Sequence, residues 1–238
     1  MPEFSPAPAI LPAGQRVYAI GDVHGCLEQL IALHALIAQD LAERPVEQCV
    51  LVHLGDLVDR GPDCAQVIAA LAGGPPVPGA EVVNLMGNHE DMMVTALTSG
   101  RTVDGVHWMR NGGADSLLSW GIGRAVPQNE WAGRLPDEHW AFLRALVLTH
   151  RVGPYLFVHA GIRPGVTPEA QKREDLLWIR EPFLSSKKDL GAVVVHGHTP
   201  TQEPVVRTNR IGIDTGAVMG GKLTCVVLEG DQLAFLQA

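Results

Sequence analysis

Five short apolar runs, each breaking off at a glycine or histidine into acidic, amide or imidazole side chains, constrain this chain more than any other feature. Residues 17–20 run into Gly21-Asp22-Val23-His24-Gly25, and residues 50–54 run into Gly55-Asp56-Leu57-Val58-Asp59-Arg60-Gly61. Residues 81–86 run into Gly87-Asn88-His89-Glu90, residues 155–158 into His159-Ala160-Gly161, and residues 192–195 into His196-Gly197-His198-Thr199. Such runs, bounded by Gly, Asp or Pro, read as buried strands. Between the early ones lie helical patterns. Leu27, Leu30, Ile31, Leu33 and Ile37 share one broad apolar face, as do Val67, Ile68 and Leu71. Strand alternating with helix implies βαβ units and parallel strands. Parallel strands present their carboxyl ends at one edge, where open α/β sheets bind ligands. All five polar loops are therefore expected to meet there.

The rest of the chain reads differently. Residues 1–15 are rich in Pro and Ala and are expected to form an irregular arm ahead of a domain spanning 16–238. Residues 91–150 are expected to be mainly helical, anchored by Trp108, Trp120, Trp131 and Trp140, and residues 185–189 to form a short loop or helix start. Strands are expected at 210–213, 222–228 and 232–236, with Gly220-Gly221 as a turn and an antiparallel character.

Length and charge limit the function. A chain of 238 residues suits one large domain, and a net charge of −8 argues against a basic groove for DNA or RNA. Cys26, Cys49, Cys64 and Cys225 form no C-x-x-C pair, which points to reduced thiols in a reducing compartment. The prolines and Glu3 of the first residues break any signal-peptide core, and no apolar run approaches the roughly 20 residues needed to span a membrane. The expectation is a soluble, cytoplasmic protein.

Asp22, His24, Asp56, Asn88, His159 and His198 together offer two carboxylates, one amide oxygen and three imidazoles, with no thiolate. This set suits Mn, Fe, Zn or Co, and is too nitrogen-rich for Ca or Mg alone. Six ligands exceed what one ion can use while holding water. They fit two divalent ions sharing a bridging carboxylate, an arrangement that clamps a phosphate and generates hydroxide at neutral pH. His34, His53, His107, His139 and His150 lack such surroundings and read as structural or solvated.

In this order, GDVHG, GDLVDRG, GNHE, HAG and GHT resemble the calcineurin-like metallophosphoesterases, and within them the phosphoprotein phosphatase branch. The WMRNGG of residues 108–113 and the LWIR of residues 177–180 are similar to bacterial and phage members. The resemblance implies an α/β fold: a central sandwich of two mixed sheets flanked by helices, with the metals at strand ends. It implies that Asp22, His24 and Asp56 hold one ion, manganese by preference, and that Asp56 bridges to a second completed by Asn88, His159 and His198. A bridging hydroxide would then attack phosphorus. His89 would be the general acid and Asp59 its orienting partner, while Arg60 and Arg180 would grip the phosphoryl oxygens. Arg163 is a further candidate, and the role of His196 is open. GHTP in place of GHTH argues against nuclease-like branches.

The implied activity is that of a serine/threonine protein phosphatase acting on a phosphorylated protein or small phosphoester. A diadenosine tetraphosphate hydrolase is the alternative. Symmetrical hydrolases of that kind usually read GDLVARG and GNHD, whereas this chain has Asp59 and Glu90. A binding module without catalysis is the alternative of another class; it would be expected to have lost His89, Asp59 or a ligand.

Overall fold

The computed structural model describes residues 3–238. Among the described residues eleven strands form two sheets. The first contains β1 (Ser5–Pro6), β2 (Gln15–Ile20), β3 (Gln48–His53), β4 (Glu81–Asn84), β10 (Thr224–Glu229) and β11 (Gln232–Gln237), in the order β1-β11-β10-β2-β3-β4. The second contains β5 (Thr149–Val152), β6 (Tyr155–Val158), β7 (Val193–His196), β8 (Val205–Val206) and β9 (Arg210–Gly212), in the order β5-β6-β7-β9-β8. Both sheets are mixed. The central neighbours β2, β3 and β4 run parallel, as do β6, β7 and β9, and the remaining pairings are antiparallel.

Side-chain alternation along a strand explains why two sheets stack. In β2, Val17 and Ala19 point into the layer between the sheets, where they meet Val52, Leu54, Phe157, Val195, Ile211 and Val226. Tyr18 and Ile20 point the other way, onto Leu30, Leu33 and Ile37 of helix α1 (Leu27–Glu43) and Val67 and Ile68 of α2 (Cys64–Ala72). Strands covered on both faces are mostly apolar, as residues 17–20 and 49–52 are, with buried Arg16 and His53 as the polar exceptions. The outer face of the second sheet is sealed by Phe183, Leu176, Ile179 and Leu190 against Leu156 and Val194.

One expectation needs correction. The N-terminal arm is not wholly irregular: Ser5 and Pro6 pair with Leu233 and Gln232 at the free edge of β11, and Leu11 is buried. Residues 91–150 do hold short helices, namely α3 (Asn88–Thr98), α4 (Thr102–Trp108), α5 (Ala114–Ser119), α6 (Gln128–Trp131) and α7 (Asp137–Ala145). Their end is nevertheless strand β5, which pairs antiparallel with β6; its alternation, with Arg151 outward, is too brief to stand out from the preceding helix. Among the described residues no helix is long and apolar enough to cross a membrane.

Candidate metal centre

The parallel core brings five loops to one edge, and backbone hydrogen bonds stitch them together. Val23 and His24 N–H both donate to Asp56 O, Leu54 N–H to Ile20 O, and Gly197 N–H to His159 O. The last of these joins loops within the second sheet. His159 Nδ1 to Leu54 O, 2.9 Å, ties that sheet to the first. Gly197 and Gly87 cannot be replaced, because a Cβ on either would overlap a carboxylate oxygen, of Asp22 and Asp56 respectively. Every non-glycine residue with positive φ among the described residues lies in these loops: His24 (45°), Asp56 (50°), Asp59 (71°), Arg60 (69°) and His198 (63°). Left-handed backbone is unfavourable for such residues, so the fold stores strain where side chains must converge.

Two donor clusters share one carboxylate. His24, Asp56 and His89 form the first, and Asp56, His159 and His198 the second, each with ligand atoms within 4.8 Å of one another. His24 Nδ1 donates to Val58 O at 2.8 Å, and His159 Nδ1 to Leu54 O, so in each neutral ring Nε2 carries a bare lone pair. Those lone pairs face Asp56: His24 Nε2 lies 3.4 Å from Oδ2 and His159 Nε2 lies 3.3 Å from Oδ1. Asn88 Oδ1 sits 2.9 Å from both His159 Nε2 and His198 Nδ1. Acceptors packed against acceptors are what a cation relieves.

Charge points the same way. Burial lowers His24 to about 4 and His198 to about 3 and also lowers His159, keeping all three neutral as ligands require. Burial opposes ionisation of Asp56, but His159, His89 and His24 around it outweigh that and hold its pKa below the usual range. Asp22 is raised well above its ordinary value by burial, then by Asp214 and Asp56. Asp22 belongs to neither cluster; its carboxylate accepts the His198 N–H at 3.0 Å. Three buried carboxyl groups, Asp22, Asp56 and Asp214, thus crowd one place, a density of like charge that two divalent cations would neutralise.

The acid candidate is held firmly. His89 Nδ1 lies 2.7 Å from Asp59 Oδ2, and Asp59 also accepts from Ser116 Oγ at 2.6 Å and Trp108 Nε1 at 2.9 Å. Three donors on one carboxylate keep the proton of the pair on His89 Nδ1 and leave Nε2 facing the centre. Burial would lower the His89 pKa, yet Asp56 and Asp59 raise it above its usual value. Arg60 lies over the imidazoles, NH1 3.0 Å from His24 Nε2 and NH2 3.0 Å from His89 Nε2. The bare Nε2 of His24 accepts from this guanidinium.

The other candidates separate. Arg180 is exposed beside the second cluster, where its charge bears on His159 and His198. Arg163 pairs instead with Asp175 at 2.5 Å and reaches neither cluster. His196 is buried against Phe183, with Nδ1 3.0 Å from Gly197 O, and belongs to neither donor group.

Sequence reasoning missed Ser116 and Asp214, used Glu90 only to separate two substrate classes, and read Trp108 as an anchor of the helical segment and not as a partner of Asp59. Glu90 is fully buried; its two oxygens accept the N–H groups of Gly87, Asp56, Leu57 and Val58 at 2.7–3.1 Å, clamping the Asp56 loop onto the start of α3. The signal was present in GNHE, because an acid three residues after a helix cap reaches back to the cap's N–H. Trp108 was flagged by WMRNGG: Gly113 makes room for its ring, and Gly112 O accepts from Arg60 N–H.

A buried pair of histidine-rich donor clusters bridged by one aspartate, at the strand ends of a two-sheet sandwich, defines a metal-dependent phosphoesterase with a dinuclear site. The chain belongs to the calcineurin-like phosphoesterase family, whose profile matches residues 15–225. It is 30% identical over 226 residues to serine/threonine-protein phosphatase 1 of Salmonella typhimurium, covering 88% of this chain and 90% of that protein. It is also 26% identical over 227 residues to the asymmetrical bis(5'-nucleosyl)-tetraphosphatase PrpE of Anoxybacillus flavithermus, covering 87% and 88%. In fold it is similar to a cold-active protein tyrosine phosphatase, with a TM-score of 0.62 at 18% identity over 97% of this chain and 81% of that one.

Proposed function

We propose that this chain hydrolyses dinucleoside polyphosphates, with Arg60 and Arg180 holding the phosphate chain and Trp178 stacking on a nucleobase. One observation carries this reading. Trp178, at the end of α8 (Arg173–Trp178), is 36% exposed, and its ring lies 6.1 Å from that of His198. It walls a recess of about 440 Å³ whose lining includes the cations Arg163, Lys172 and Arg180 and the acids Glu174, Asp175 and Glu181. An indole face beside cationic side chains suits a base and its phosphates. The name of the Anoxybacillus relative supports the same substrate class, which moves ahead of the protein-phosphatase reading favoured by the motifs alone.

Two divalent ions, held by His24, Asp56, Asn88, His159 and His198 with Asp22 alongside, would supply charge to polarise phosphoryl oxygens and acidify water. The choice of manganese rests on the donor set. The chain's own residues do the rest. Arg60 presents a planar fork that matches two phosphoryl oxygens, and Arg180 adds a second charge near His159 and His198. His89 delivers its Nε2 proton to the departing oxygen while Asp59 fixes the ring.

A second reading, hydrolysis of phosphoserine or phosphothreonine, is favoured by the His89–Asp59 pair and by the Salmonella relative. A serine or threonine alkoxide is a poor leaving group and gains more from a positioned acid than a phosphate does. Steady-state rates with diadenosine tetraphosphate, a phosphopeptide and p-nitrophenyl phosphate in Mn²⁺ separate the two. Trp178→Ala should raise KM for diadenosine tetraphosphate about tenfold, the worth of one stacked base, and do much less to p-nitrophenyl phosphate. Equal effects on both, or a higher kcat/KM for the phosphopeptide, would leave protein dephosphorylation as the activity.

A further inference from the structure

We propose that a recess centred on Arg210, outside the metal centre, binds a phosphate-bearing anion. The recess has a volume of about 840 Å³ and lies between the N-terminal arm, the segment after Phe183 and the β8–β9 hairpin. Its lining includes Lys187, Arg207 and Arg210 and no carboxylate, in a protein whose net charge is −8. It shares no residue with the donor clusters.

Arg210 is the informative side chain. It is only 9% exposed, and among the described residues no carboxylate lies within 4.0 Å of it. Its Nε is buried without a hydrogen-bond partner. NH2 donates to Leu184 O at 3.1 Å, and NH1 stands 3.4 Å from the imidazole Nε2 of His196. Both contacts are to neutral groups. The nearby acid, Glu181, accepts the hydroxyl of Ser185 instead. Burial and the neighbouring Arg207 depress the Arg210 pKa from its ordinary value, and the more distant charge of Glu181 does not offset them. A buried charge left unpaired is costly, and an anion in the recess would remove that cost.

The recess is also built to stay open. Asn209 Nδ2 donates to Ser186 O at 3.0 Å and to Lys188 O at 2.9 Å, pinning the overlying segment to the hairpin. Guanidinium forks suit phosphoryl oxygens, and the volume exceeds that of orthophosphate alone. Pro6, Pro8 and Val206 give an apolar wall on which a nucleoside can rest. The shared chemistry is a phosphoryl group, free or carried by a nucleotide.

The test is calorimetric titration of the manganese-loaded Arg60→Ala/Arg180→Ala protein, which lacks the catalytic phosphate grip, with inorganic phosphate and separately with ADP. Saturable binding of either is expected; phosphate alone would indicate the free ion, and ADP alone a nucleotide. Adding Arg210→Met should weaken it about tenfold or more, the usual worth of a charge-assisted contact. Adding Lys187→Ala with Arg207→Ala, both outside the packed core, should also weaken it and keeps the test open should Arg210→Met not fold. Absence of binding at millimolar ligand, or affinity unchanged in both variants, overturns the proposal.

Discussion

Replacing Glu90 by Gln tests how the centre is held in shape. One Glu90 oxygen accepts Leu57 and Val58 N–H, and the other accepts Asp56 and Gly87 N–H. Glutamine keeps the volume and one oxygen, so two bonds survive. Its amide nitrogen must then face two N–H donors, and those two bonds are lost. Bonds to a charged, buried acceptor are worth about 1.5–3 kcal/mol each, which gives a loss of about 3–6 kcal/mol. Removing a carboxylate whose pKa burial and Asp56 push up to about 7 offsets part of this. For a domain of this size about 1 kcal/mol moves Tm by about 2–4 °C, so the lost bonds before that offset correspond to a fall in Tm of about 6–24 °C. The Asp56 loop is what the clamp positions, so Mn²⁺ affinity should fall about 10–100-fold as well. Differential scanning calorimetry and metal titration read the two effects. A Tm within about 2 °C of the parent with unchanged metal affinity would show that the loop holds its left-handed conformation without Glu90, and the reasoning would fail.

Other consequences follow from the same geometry. His89 holds its proton above its ordinary pKa of 6.5, so as a general acid it is loaded at lower pH and empties as pH rises through the folded value. The alkaline limb of kcat should therefore shift to lower pH in Asp59→Asn and vanish in His89→Asn. In His89→Asn turnover should fall about 10²–10⁴-fold with metal content retained, and loss of the metal together with activity would make His89 a ligand instead. The same raised pKa gives a stability contribution fully present below the unfolded pKa and lost as pH rises through the folded one. Asp59→Asn should flatten that slope in urea titrations between pH 6 and 8, taking roughly the range around an ordinary imidazole pKa. Arg60 is exposed at φ 69°, where glycine is relieved of about 1–2 kcal/mol of steric cost and loses about half of that to chain entropy. Arg60→Gly should therefore melt about 1–4 °C above Arg60→Ala, with phosphate affinity weakened equally in both. Equal melting points would mean that the turn carries no strain.

The candidate ligands were legible because metal chemistry needs particular side chains, and the glycines around them mark loops that turn tightly. His24, Asp56, Asn88, His159 and His198 could be picked from the chain without coordinates for that reason. The strands were legible because a sheet buried on both faces favours apolar side chains along the covered stretch: Val17–Ile20 of β2 and Tyr155–Val158 of β6 are wholly apolar, and β3 is broken only by Gln48 and His53 at its two ends. Short or edge elements lack that requirement. Ser5–Pro6 gave no sign of its pairing, because an edge strand needs only a free neighbour, and that neighbour lies more than 220 residues away at Leu233.

Residue identity alone determined which groups could carry the chemistry and that they would meet at strand ends. Tertiary structure decided how each is used. It tied Arg163 to Asp175 and kept His196 out of the centre, left Arg210 buried without a counter-ion, and turned Glu90 into the clamp of the Asp56 loop. The reason is physical: a side chain's type sets what it can bind, but only the distances and burial imposed by distant parts of the chain decide which partner it meets and what its charge costs.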